Sequence, residues 1–191
     1  FMFSSFALSS VVVLSAFSGV ALATSSDPDT VVKDIQGTWV LGCKSYEPSA
    51  SWPPDESRSA KWTYTFVGDQ FKWLEEEFSD SECKKPLMNQ TIEGTFQIGE
   101  AIASMDNVFA FDMLKVRDTY TLMDPTKRVY DYCRGSDYVL TGTSACDYDN
   151  TYQRVKVSGN NLRFGYLTDA HGGETPANRP LYLSTRTFTR P

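Results

Sequence analysis

The sequence predicts an all-β fold, a single up-and-down antiparallel β-barrel of about eight or nine strands held by disulfides. Three observations carry the prediction. Apolar residues recur with a period of two over most of the chain, as in strands that bury one face. No apolar stripe of three helical turns follows residue 24. About nine strand-like segments succeed one another across short turns, and closing such a meander removes its exposed edges.

Residues 1–23 carry no charge, run through Val11-Val12-Val13-Leu14 and end in Ala21-Leu22-Ala23, which reads as a signal peptide cleaved before Thr24. Six serines interrupt the apolar run, which falls short of the ~20 apolar residues of a membrane span. Removing 23 of the 191 residues leaves 168, enough for one domain with a real core. Residues 24–34 form a polar lead-in with Pro28, in which Asp29 to Asp34 can make a short helical turn. Residues 35–191 form the barrel domain.

Gly37 to Tyr46 is the first strand. Gly37 lets the backbone approach a neighbour closely, and Trp39, two residues on and on the same face, plugs the closed end with its ring. Trp62, Tyr64 and Phe66 alternate with Lys61, Thr63 and Thr65, turn at Val67-Gly68-Asp69-Gln70, and continue in Phe71 and Trp73 as a hairpin. Ile92, Gly94, Phe96 and Ile98 alternate in the next strand. Phe109 to Leu122, Val129 to Cys133, Thr151 to Val157, Leu162 to Tyr166 and Leu181 to Phe188 supply the others, with Ile102 to Val108 as a turn. Glu47 to Arg58, with three prolines and Trp52, and Thr168 to Pro180 read as loops at a barrel mouth.

A net charge of −6 argues against nucleic acid and anionic membranes as partners. Cys43, Cys83, Cys133 and Cys146 form an even set in a chain expected to be secreted or periplasmic, and such sets form disulfides. Of three pairings, Cys43 with Cys83 and Cys133 with Cys146 ties neighbouring segments and is favoured. No Cys-x-x-Cys occurs and His171 is distant, so no metal or other cofactor is expected.

His171 lies in a glycine-rich loop without a nucleophile motif, so no triad or haem ligand is expected from it. Glu75, Glu76 and Glu77 read as a solvated strand end, Asp147, Asp149 and Asn150 as turn formers, and Asn89-Gln90-Thr91 as a surface sequon between strands. The strongest compositional feature is the aromatic content, 14 %, placed at alternating strand positions. Inward aromatic faces of a small barrel either fill it or line a pocket. The expected lining is Trp62, Tyr64, Phe66, Trp73, Phe96, Phe111 and Tyr132; of Arg117, Arg128 and Arg134, Arg117 is the head-group candidate.

Gly37-x-Trp39 after a leader, the meander, and the ending Arg186-Thr187-Phe188-Thr189-Arg190 together resemble an outlying group of the lipocalin superfamily, the Thr-Asp-Tyr motif being absent. The resemblance implies an arginine over the first-strand tryptophan. Arg186, which shares strand parity with Tyr182 and Phe188, is favoured over Arg190. The order Gly-x-Trp, Cys43, Phe66, Ser79-Asp80-Ser81-Glu82-Cys83 and Gly94-x-Phe96-x-Ile98-Gly99 resembles the barrel domain of the secreted lipid-binding Wnt-antagonist family. Hypothetical exported lipocalin-like proteins share that order, with steps like Tyr132-Cys133-x-Gly135 and Arg179-Pro180-x-x-Leu183. These resemblances imply a Cys43–Cys83 bridge and an apolar ligand. The expectation is therefore a non-enzymatic binding protein for a hydrophobic small molecule or lipid. A protein-interaction or inhibitor module using the Trp52 loop, and an enzyme with its active site in the barrel cavity, are the alternatives.

Overall fold

The structure, a computed structural model, describes residues 27–45, 59–168 and 170–191, with backbone alone at 136 and 137. The expected signal peptide and the Trp52 loop lie outside these residues. The described chain forms a closed barrel of eight antiparallel strands with one helix.

Helix α1 (Pro28–Ile35) starts where Asp27 accepts from the Asp29 amide and Pro28 takes the first helical position, whose N–H would be unpaired in any case. Residues 28–34 of the expected lead-in are thus two turns of helix. Val31 and Ile35, four apart on one face, are buried against the barrel core. A single i,i+4 pair is too short a period to stand out in the sequence.

Strands β1 (Gly37–Ser45), β2 (Ser59–Val67), β3 (Gln70–Phe78), β4 (Pro86–Ala101) and β5 (Phe109–Leu122) form a meander. One rung runs Trp39↔Tyr64↔Trp73↔Ile92, so the aromatic sets of three strands share a face. A Cβ on Gly94 would meet the Leu114 carbonyl oxygen at 2.6 Å, so the close approach of β4 to β5 requires glycine there.

Beyond β5 the meander is interrupted. Strands β6 (Tyr130–Asp131) and β7 (Gly135–Val139) pair only with each other, in a side hairpin. The expected barrel strand Val129 to Cys133 is therefore corrected. Its apolar residues pack with Leu140 on Leu87, Met88 and Tyr120 as a second small core. Strands β8 (Thr143–Tyr148) and β9 (Thr151–Ser158) then run end to end along β5: β8 pairs with Val116–Thr121 and β9 with Phe109–Met113. Asp149 and Asn150 form the break between them, facing Lys115, whose φ is +52° and whose amide donates to Asn150 Oδ1 at 3.3 Å.

Strands β10 (Asn161–Phe164) and β11 (Phe188–Thr189) close the barrel onto Val40 of β1. Of the expected last strand, Leu181 to Phe188, only Phe188 belongs to β11. Residues 165–168 and 170–187 instead run over the wall as an irregular strap, with Pro176–Asn178 as a short 3-10 turn and two isolated bridges, Gly165↔Leu183 and Thr168↔His171. Pro176 and Pro180 lack the amide a ladder needs, and Arg179 fixes the strap outside: it pairs with the largely buried Asp112 and donates to Gln153 O at 2.9 Å and Phe111 O at 3.3 Å.

Cys43 is bonded to Cys83 and Cys133 to Cys146, with Cα separations of 5.9 and 5.4 Å. The first ties the end of β1 to the β3–β4 connection and the second ties the side hairpin to β8. Two disulfides are the mark of a chain that folds in an oxidising compartment. Among the described residues no helix is long and apolar enough to cross a membrane.

Candidate functional site

The barrel interior is divided along its axis. At the end covered by α1, Trp39, Phe66, Phe96, Phe109 and Phe111 are all buried and packed as a plug. Phe66 meets Phe96 edge-on at 5.2 Å and Phe96 stacks on Phe111 at 5.5 Å. Trp39 Nε1 donates to Ile35 O at 2.7 Å, which satisfies the indole beneath the helix. Three expected pocket residues, Phe66, Phe96 and Phe111, thus fill the barrel rather than line a void.

Above the plug lies a pocket of about 380 Å³, walled by Trp62, Tyr64, Trp73, Met113, Phe164 and Phe188. The Tyr64 ring packs at 4.5 Å from Phe164 and 5.1 Å from Phe188. The pocket exists because β10 and β11 are short: the strap, through Gly165 to Leu167 and Ser184 to Arg186, lines the space that longer strands would close. Trp62, Tyr64 and Trp73 are the expected residues the structure brings together there.

Gln153, Tyr64 and Arg186 are among the polar groups that line this apolar space. Gln153 is 6 % exposed and its carboxamide oxygen has no hydrogen-bond partner among the described residues. The Tyr64 phenol is pushed up by burial and by the Glu75 charge, an effect the Arg186 charge opposes, so it remains a neutral O–H. Arg186 lies over the Trp62 ring at 4.6 Å from its centroid.

Two expected lining residues lie elsewhere. Tyr132, 57 % exposed, is in the turn of the side hairpin, its ring 5.3 Å from Tyr120. Arg117 is on the outer wall, where it pairs with Asp147 at 3.3 Å. The outward parity follows from the Lys115 bulge, which the sequence does not reveal. Arg186 also departs from expectation: the guanidinium over Trp39 is that of Arg190, at 4.3 Å, while Arg186 stands at the pocket mouth. Met113, Gln153 and Phe164 were missed as lining, Gln153 because a polar residue on an inward parity is passed over when only apolar alternation is scored.

A second polar cluster sits between the barrel and the side hairpin. Gln90 Nε2 donates to Asp118 Oδ2 and to Tyr120 Oη, both at 2.8 Å, and Tyr120 Oη donates to Asp118 Oδ2 at 2.9 Å. Burial pushes the Asp118 carboxyl up, against the hydrogen bonds that favour its ionised form. Burial and the Asp118 charge push the Tyr120 phenol up as well. Neither Asp118 nor His171 lines the aromatic pocket, and His171 is tied through its backbone to Thr168.

The remaining polar features are placed as follows. Glu75 to Glu77 lie at the end of β3, just before Phe78, but are half-buried rather than fully solvated, and Asn89 lies within β4, opposite Glu76 and Thr121, rather than between strands. Among the described residues no group of three or more His, Cys, Asp or Glu side chains gathers as a metal site requires. No protein-family model and no curated protein matches this sequence.

Proposed function

We propose that the protein is an exported, lipocalin-like carrier that holds one hydrophobic small molecule or lipid in the aromatic pocket without transforming it. One observation carries the reading: a half-filled barrel in which an aromatic pocket of about 380 Å³ stands over a packed plug. That volume is within the range of small-molecule sites, and its aromatic walls with a few convergent polar groups are the usual composition of such sites. The closed eight-strand barrel and the Trp39–Arg190 stack support the lipocalin-like assignment. The two disulfides and the leader-like residues 1–23 support export.

Native mass spectrometry of the purified protein, followed by solvent extraction, tests this. A one-to-one complex with an apolar molecule that extraction removes is expected. A bare chain that takes up no member of a lipid, pigment and haem panel overturns the carrier reading and brings forward protein docking through the Trp52 loop.

A further inference from the structure

We infer that the ligand of this pocket is an apolar acid, its body among the aromatic rings and its anionic head on Arg186. The inference rests on the carrier reading and adds the chemistry of the head group.

The argument is one of partners. Five arginines surround the strap and the closing strands; four donate to protein acceptors, although the Arg154 Nε is left without one among the described residues. Arg163 donates through Nε and Nη2 to Ser184 O at 2.9 and 2.7 Å. Arg179 pairs with Asp112 and two carbonyls. Arg154 donates to Leu181 O at 3.3 Å. Arg190 donates to Gln36 O and Asp34 O at 2.9 and 2.7 Å. The fifth, Arg186, has no acceptor for its guanidinium among the described residues and only the Trp62 face beneath it. In a chain of net charge −6, a cation without a carboxylate partner at the rim of an apolar pocket is a selective feature of that rim.

The stacked position gives the guanidinium its direction. Trp62 covers one face, which leaves the planar N–H fork free along its edge, the geometry that suits a carboxylate or another oxyanion. The Arg186 charge also acts on the phenol of Tyr64, a neutral donor farther along β2. A neutral ligand would leave this fork to water, and a cationic one would be repelled. Glu75 also faces the interior, on the rung of Trp62. Its charge opposes an anion, so the affinity for the head depends on Arg186.

Displacement of the neutral fluorophore N-phenylnaphthylamine by dodecanoate, dodecanol and dodecylamine at neutral pH tests the inference, each compound having the same chain. Dodecanoate is expected to compete about ten- to a hundredfold better than dodecanol, the range of a hydrogen bond to a charged group, with dodecylamine weakest. Arg186→Gln should bring dodecanoate to parity with dodecanol, Arg186→Lys should retain part of the preference, and Arg117→Gln on the outer wall should retain all of it. The ratio read within each variant is independent of any change in fluorophore affinity. Equal competition by acid and alcohol in the parent, or a preference that survives Arg186→Gln, overturns the inference while the carrier reading stands. Failure of the fluorophore and all three chains to bind the folded parent overturns both.

Discussion

Arg190 lies over the Trp39 ring at 4.3 Å and, from the same guanidinium, donates to the carbonyls of Gln36 and Asp34, so one residue near the C-terminus joins the first strand to the end of α1. Gly37 is part of the same arrangement: its φ is +99°, and a Cβ there would stand 3.1 Å from Arg190 Nη1. The glycine, the tryptophan and the arginine therefore form one closure device, with the helix as its lid.

Truncation at this device should weaken the whole barrel. Trp39→Ala is expected to lower the unfolding free energy by about 3 to 5 kcal/mol, since a fully buried aromatic is replaced by a cavity. Arg190→Ala should lower it by about 1 to 3 kcal/mol through the lost stack and two hydrogen bonds. Urea unfolding measures both, and an Arg190→Ala protein as stable as the parent would contradict the closure role.

The disulfides make a separate prediction. Non-reducing peptide mapping should recover Cys43 with Cys83 and Cys133 with Cys146. In the chain-entropy model the 13-residue separation is worth about 3 kcal/mol and the 40-residue separation about 4 kcal/mol. Paired serine substitutions should accordingly leave the Cys43–Cys83 variant the less stable of the two.

Asp118 predicts a pH dependence with a definite sign. Its folded carboxyl sits above the ordinary aspartate value because burial disfavours the charge. The folded state therefore holds its proton while the unfolded state has released it. This contribution to stability is complete below the unfolded value of about 4 and is lost as pH rises through the folded one. Asp118→Asn has no such loss, so its stability relative to the parent should rise from pH 3 to neutral in paired thermal melts. A constant difference across that window would exclude the titration.

Much of this architecture was legible in the sequence. The β2–β3 hairpin could be read because its aromatic and polar residues alternate without interruption and Gly68 marks the turn, where φ is +63°. The parity of Trp62, Tyr64, Phe66 and Trp73 followed from that register. What failed had local causes. The outward turn of Arg117 follows the bulge at Lys115, and one extra residue reverses a strand's faces without leaving a mark in composition. Arg186 and Arg190 have the same parity, so parity could not choose between them. The pairing Val40↔Thr189 chooses Arg190, and Arg186, four residues earlier in the strap, stands over Trp62 instead. The division of the interior into plug and pocket was not legible, because it depends on how short β10 and β11 are.

The pocket itself is tested most directly by titrating the folded protein with N-phenylnaphthylamine and following energy transfer from its indoles. Trp62 and Trp73 wall the pocket, so a molecule bound there lies against two donors. The account predicts saturable binding of one fluorophore per chain with an affinity of about 1 μM, near −8 kcal/mol, accompanied by quenching of tryptophan emission. A folded protein whose tryptophan emission is unchanged through the titration, with no saturable fluorophore signal, would contradict it.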